Sequence, residues 1–199
     1  FIQARGSSTS SARTLTVTSA TLADAHGVID TISNAFLHDP TWVWAIPDPA
    51  LRIRFWEPFI VGALRYPWVF KTSGFETVSV WIPPNGTEIT EAEEEKIPGL
   101  LTELVGSRAA DVLELMDRFG AAHPQAEPHY HLSLLGTRDE HRGQGLGMAL
   151  LKENLARIDA EHMPAYLESS NPVNNQRYES VGFMPVSSFH VPGDDSLVT

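Results

Sequence analysis

The sequence predicts a single α/β domain of the mixed kind, a β-sheet with helices around it. Two observations carry this. Apolar residues recur at helical spacing in some segments and alternate in others, and the two kinds of segment interleave along the chain. In addition, 199 residues with 42% hydrophobic and only 20% charged content can bury one substantial core.

Residues 1–12, FIQARGSSTSSA, read as a disordered or vector-derived segment, and the domain is expected over 13–199. TLTVTSA (14–20) alternates as a strand does. From Thr21 to Leu37, Leu22, Ala25, Val28, Ile29, Ile32, Ala35 and Phe36 fall at helical spacing, with Thr21 as cap and Asp39-Pro40 as stop. A second helix runs from Pro49 to about Arg65, ending before Pro67. Trp68–Lys71 and Phe75–Ile82 are strands flanking the hairpin signal Ser73-Gly74, and Pro83-Pro84 ends the second.

Glu88–Phe119 is helical in pattern, split at Pro98-Gly99, and its acidic run at Glu91, Glu93, Glu94 and Glu95 reads as a solvated face. His129–Thr137 is a strand leading into a glycine-rich turn and a helix over 146–161. A strand at 165–169, a helix near 174–181 and a strand from Phe183 complete the order.

Charge and cysteine content narrow the function. A formal charge of −11 repels phosphate backbones, which argues against nucleic acid as a partner and favours cationic small molecules. With zero cysteines there is no thiolate metal site and no cysteine nucleophile, in keeping with a reducing compartment. No apolar run reaches the roughly 20 residues of a membrane span, so a cytoplasmic protein without a membrane partner is expected.

The informative segment is HLSLLGTRDEHRGQGLGMALLKENL, where an apolar strand runs through Arg142-Gly143-Gln144-Gly145-Leu146-Gly147 into an amphipathic helix. Glycines let backbone approach a ligand, and the free N–H groups and positive dipole end of the helix favour an anion. The spacing fits neither G-x-G-x-x-G nor a Walker loop. It does fit R-x-x-G-x-G, spelled by Arg142, Gly145 and Gly147.

In that motif the chain resembles the GNAT acetyltransferases, whose pyrophosphate loop reads [QR]-x-x-G-x-[GA] between a central strand and a helix. Downstream, YLESSNPVNNQRYESVGF (166–183) is similar to the family's second acyl-CoA segment. Upstream, AFLHDPTWVWAIPD, VWIPP and HYHLSLLGT resemble the subgroup that includes puromycin N-acetyltransferase-like proteins. The matches cover most of residues 13–190. They imply the GNAT fold, a central, mostly antiparallel sheet of about six or seven strands flanked by helices, and acetyl-CoA as co-substrate without a metal.

The implied activity is direct attack on the thioester by the primary amine of a small molecule or peptide. Other readings stay open: a non-catalytic acyl-CoA-binding module, a longer acyl chain, a hydroxyl acceptor, and a homodimer as the assembled form. The resemblance makes Tyr178 the proton donor to the leaving thiolate. It assigns Leu135, Gly136 and Thr137 to the pantetheine and Arg142, Gly143, Gln144, Gly145, Leu146, Gly147 and Met148 to the diphosphate, with Asn171 and Asn174 as further cofactor contacts.

An alkyl ammonium must lose a proton before attack, and His131 and Glu168 are the candidate bases. By the period of two, His129, His131 and Ser133 share a face. A zinc site from His123, His129 and His131 lacks a third ligand fixed by spacing. The implied acceptor pocket draws on Phe36, Trp42, Trp44, Phe55, Trp56 and Trp81. Thr137 and Asp139 depart from the usual valine and proline of the family, which leaves the backbone contacts intact.

Overall fold

A computed structural model describes residues 1–3 and 15–199. Its elements are β1 (Ile2–Gln3), β2 (Val17–Ser19), α1 (Ala25–Ala35), α2 (Pro40–Ala45), α3 (Pro49–Ala63), β3 (Val69–Thr72) and β4 (Thr77–Ile82). There follow α4 (Glu91–Glu94), α5 (Ile97–Val105), α6 (Ala109–Ala122), β5 (Tyr130–Thr137), α7 (Leu146–Ala160), β6 (Ala165–Leu167), α8 (Asn175–Glu179), β7 (Phe183–Met184), β8 (Phe189–His190) and β9 (Leu197–Val198).

Seven strands form one sheet in the order β2-β3-β4-β5-β6-β1-β7, antiparallel throughout except for β5 and β6. Ile2 and Gln3, placed by the sequence reading in a disordered segment, instead pair with β6 on one side and β7 on the other. The rest of that segment from residue 4 lies outside the described residues.

The sheet separates two apolar cores. Val28, Ile32, Phe55, Ile60, Val78, Val80 and Leu134 meet on the side of α1, α3, α5 and α6. Trp81, Tyr130, Leu132, Leu150, Leu151 and Ile158 meet on the side of α7. Asn154 locates α7 on the sheet: wholly buried, its Oδ1 accepts from Ser79 Oγ at 2.6 Å and Trp81 Nε1 at 2.9 Å. A buried amide can sit there because those donors replace water.

The acidic stretch does divide beside Pro98, between α4 and α5: Pro98 occupies the first turn of α5, where its missing N–H costs nothing. A second break, not expected from the sequence, comes at Gly106, whose φ of +57° turns the chain out of the helix and lets α6 begin a few residues later. Also absent from the sequence reading is α2. Asp39, read there as a stop, is its N-cap: Trp42 N–H donates to Asp39 Oδ1 at 3.2 Å, and Pro40 stands in its first turn.

Candidate active site

A one-residue bulge decides what β5 presents. Trp81 pairs with Leu132 and Val80 with Leu134, so Ser133 is the extra residue opposite β4. Strict alternation would put Leu132 and Leu134 on one face. Instead Leu132 packs toward α7 and Leu134 into the α1 core, while His131, opposite Ile82, faces the α1 side. Ser133 therefore interrupts the periodicity on which the sequence reading relied.

Beside β5 the sheet opens. β6 pairs with it only through Tyr130, His131 and Leu132, after which β5 continues five residues to Thr137 with no partner on that edge among the described residues. Its backbone groups there face a cleft of 1880 Å³. Leu135, Gly136 and Thr137 line it, as do Arg142, Gly143, Gly145, Leu146, Gly147, Met148, Asn171, Asn174, Tyr178, His131 and Glu168. Of the catalytic and cofactor residues assigned from sequence, Gln144 alone is not in its wall.

The glycine turn has the geometry of a cradle. Gly143 and Gly145 hold φ of +77° and +75°, and a Cβ on either would meet nothing within 4 Å. They are therefore glycines for conformation and face open space. Gly145 caps α7, so the first amides of that 15-residue helix lack intrahelical acceptors and point to the cleft end. The Arg142 side chain braces the loop: Nε lies 2.7 Å from Asp139 Oδ1, and Nη2 donates to the Ala35 carbonyl. Asn171 and Asn174 have local work too, Asn171 Oδ1 accepting from Val173 N–H and Asn174 Oδ1 from Arg177.

On the other side of the cleft stands a chain of titratable groups. His131 Nε2 donates to Glu168 Oε2 at 2.7 Å, and both side chains are largely buried. Burial opposes charge on each, but mutual attraction outweighs it. His131 is held above the ordinary imidazole range and Glu168 below the ordinary carboxylate range. His131 Nδ1 then faces Glu88 Oε1 across 4.0 Å.

His123 Nδ1 is 3.7 Å from Glu168 Oε1, and its Nε2 is 3.0 Å from Nε2 of His129. His129 donates from Nδ1 to the Glu127 carbonyl at 2.7 Å, and burial lowers its pKa. Neutral His129 thus accepts from His123. His129 is engaged on the far nitrogen of His123 and does not converge with the other two imidazoles.

The residues able to offer three metal-ligand atoms among those described are His123, His131 and Glu168, within 4.8 Å of one another. Glu168 is the ligand that spacing could not supply. The 2.7 Å bond between His131 and Glu168 already occupies one ligand atom of each with a shared proton, so the trio is built to hold protons.

Tyr178 projects from α8 against Phe183. Burial, aided by the negative charge of Asp39, pushes its hydroxyl up to about 12. It stays protonated at neutral pH. Asp39 ties this end to α2, since Ser170 Oγ donates to its Oδ2 at 2.6 Å and Thr41 Oγ1 donates to the Ser170 carbonyl at 2.9 Å. Phe36, Trp42, Phe55 and Trp56 line the cleft as the resemblance implied. Trp81 does not, being wholly buried on the α7 side, and neither does Trp44, whose ring lies under the Arg108 guanidinium at 4.9 Å.

Sequence reasoning missed Asp39 and Glu88. Asp39 left the signal of a helix cap before proline. Glu88 left none, because its position depends on Gly62 of α3, where a Cβ would lie 2.1 Å from the Glu88 carbonyl oxygen. Glu91 and Glu94, read as solvated, also line the cleft.

Residues 115–191 match the family model described as Acetyltransferase (GNAT) domain. The structure is similar to one described as histone acetyltransferase HPA2 and related acetyltransferase from Corynebacterium glutamicum. Identity is 26%, the TM-score is 0.62, and 92% of this chain and 93% of that one are covered. It also shares its fold with a mosquito arylalkylamine N-acetyltransferase like 5b (14% identity, TM-score 0.59, 93% and 97% covered). A third neighbour is arylalkylamine N-acetyltransferase 2 from Aedes aegypti (13% identity, TM-score 0.61, 89% and 86% covered).

The match to a GNAT acetyltransferase domain thus covers residues 115–191, and the fold is the mixed sheet flanked by helices that the resemblance implied. The family match and the 26%-identical neighbour both support an acetyltransferase. Among the described residues no helix is long and apolar enough to cross a membrane.

Proposed function

We propose that the protein transfers an acetyl group from acetyl-CoA to a primary amine by direct attack, with His131 as the base and Tyr178 as the proton donor. The observation that carries this is the open edge of β5. It leaves one edge of five residues without a partner among the described residues, between a glycine cradle at one end and a proton-accepting imidazole at the other.

The residues fit acetyl-CoA. Open space at Gly143 and Gly145 and the amides of α7 suit a diphosphate, and the free edge at Leu135, Gly136 and Thr137 suits the amides of a pantetheine arm. Acetyl-CoA supplies the acetyl group as a thioester. Toward it the chain's own groups do three things. Glu168 holds the Nε2 proton of His131 and so presents the Nδ1 lone pair, which takes the proton of the incoming ammonium. Backbone N–H groups of β5 offer hydrogen bonds to the thioester oxygen. Tyr178, kept neutral by burial, gives a proton to the departing sulfur.

Within the class, the resemblance of the segments AFLHDPTWVWAIPD and VWIPP supports a puromycin N-acetyltransferase-like subgroup. The cytoplasm is the proposed location, and no metal takes part. The test is acetyl-CoA binding by calorimetry followed by thiol release on an amine panel. Binding with amine-dependent release supports the reading, whereas binding without release from any amine makes the protein a CoA-binding module.

A further inference from the structure

The end of the cleft away from the glycine cradle has a charge and a wall of its own. Its lining includes Glu88, Glu91, Glu94, Asp117 and Glu127, whereas the only arginines or lysines among the described lining residues, Arg142 and Arg177, stand with the cofactor loop and α8. The wall is aromatic. Trp42 lies edge-on to Trp56 with centroids 4.6 Å apart, Phe55 is 5.3 Å from Trp42, and Phe119 stacks nearly parallel to Trp42 at 6.1 Å.

Beside the base stands Glu88. Because Glu168 takes the Nε2 proton of His131, the Nδ1 atom of the neutral ring presents a lone pair, and it faces the Glu88 carboxylate at 4.0 Å. In the protonated ring Nδ1–H faces the carboxylate; once the ring is neutral, two acceptors stand opposed at that distance with no donor between them. A donor nitrogen about 2.9 Å from each would bridge a gap of this width, and an ammonium carries three N–H bonds with which to do so.

We infer that Glu88 and His131 form an ammonium site, and that the acceptor is an arylalkylamine: a primary ammonium joined by a short alkyl link to an aromatic ring that lies against Trp42 and Trp56. This rests on the acetyl-transfer reading for the step that follows binding. In that step one N–H proton passes to His131 Nδ1, the freed lone pair forms the bond to the acetyl carbonyl carbon, and the carbon–sulfur bond breaks with its electron pair on sulfur. The sulfur takes a proton from Tyr178, which regains one from solvent as the new amide nitrogen sheds its second proton to solvent. Glu88 sets specificity by selecting the charged form of the amine beside its proton acceptor. A polyhydroxylated amine would lose hydration against aromatic walls without regaining hydrogen bonds, and a peptide backbone would do the same.

The test uses the full chain saturated with CoA, which has no acetyl group to transfer, and titrates 2-phenylethylamine by calorimetry into wild type and Glu88→Gln. Steady-state acetyl transfer is then measured with 2-phenylethylamine, aniline, an aminoglycoside and a lysine peptide. Loss of a charge-assisted contact is expected to weaken 2-phenylethylamine binding roughly tenfold or more. The KM for aniline, neutral at assay pH, should change less than about twofold on the same grounds.

Equal binding to both proteins, or a higher kcat/KM for the aminoglycoside or peptide, overturns the proposal. Glu88-dependent binding without transfer leaves the ammonium site standing and removes the catalytic reading. Transfer that is indifferent to Glu88→Gln does the reverse.

Discussion

Gly62→Ala tests whether the acceptor site is assembled through backbone packing far from the chemistry. Helix propensity alone favours the change by about 1 kcal/mol, since Gly62 lies inside α3. Packing opposes it. The new Cβ would stand 2.1 Å from the Glu88 carbonyl oxygen, where ordinary contact begins at 3.4 Å. The 87–89 loop must then retreat by about 1 Å, a displacement that can cost on the order of 100-fold in rate where positioning supplies catalysis.

Overpacking of this kind costs about 1–3 kcal/mol, so Tm should fall by a few degrees while the protein stays folded. The expected kinetic signature is a KM for the amine raised about tenfold or more, with lower kcat and an acetyl-CoA Kd within about twofold of wild type. The loop touches the acceptor end alone. Unchanged amine kinetics in a variant whose Tm has fallen, or an equal loss of acetyl-CoA affinity, would refute this account of Glu88.

Other expectations concern the reacting groups. Tyr178→Phe should lower kcat by roughly 10²–10⁴-fold with little change in acetyl-CoA Kd, and a kcat near wild type removes Tyr178 as proton donor. Gly145→Asp should abolish acetyl-CoA binding, because it places a side chain at φ +75° and a carboxylate in the anion cradle; calorimetry showing retained affinity would move the diphosphate elsewhere. For pH, the rate should rise as His131 loses its proton, at a midpoint above that of free imidazole. Glu168→Gln withdraws the charge that favours the imidazolium while Glu88 and His123 remain, so the rising limb should shift to lower pH. His131→Gln should lose the limb, and identical profiles in both variants would exclude the pair.

How much was legible depended on whether the information was local. The glycine turn was readable because Gly143, Gly145 and the following helix are consecutive, and backbone conformation sets their use. The strand of His131 was readable too, but its faces were not: the bulge at Ser133 arises from pairing with β4, distant in sequence. Glu88 was invisible for the same reason, since its placement is set by Gly62. Ile2–Gln3 was misread because two residues carry no periodicity, and only β6 and β7 make them a strand. Among the tryptophans, Trp42 and Trp81 look alike in sequence. Asn154, reached through the fold, holds Trp81 away from the cleft.

The extra residue at Ser133 is a phase slip, and it lets one strand carry two independent messages. On the proposed reaction, side chains on the α1 side upstream of it set which proton acceptor meets the amine, and downstream the backbone alone meets acetyl-CoA. A chain that paired Ser133 regularly, without the bulge, would keep the strand and lose the coordination. If the downstream half held its register, His131 would turn into the α7 core and Leu132 would take its place in the cleft. Variation in the acceptor half of β5 can therefore retune the reaction without disturbing the grip on CoA, provided the slip itself is kept.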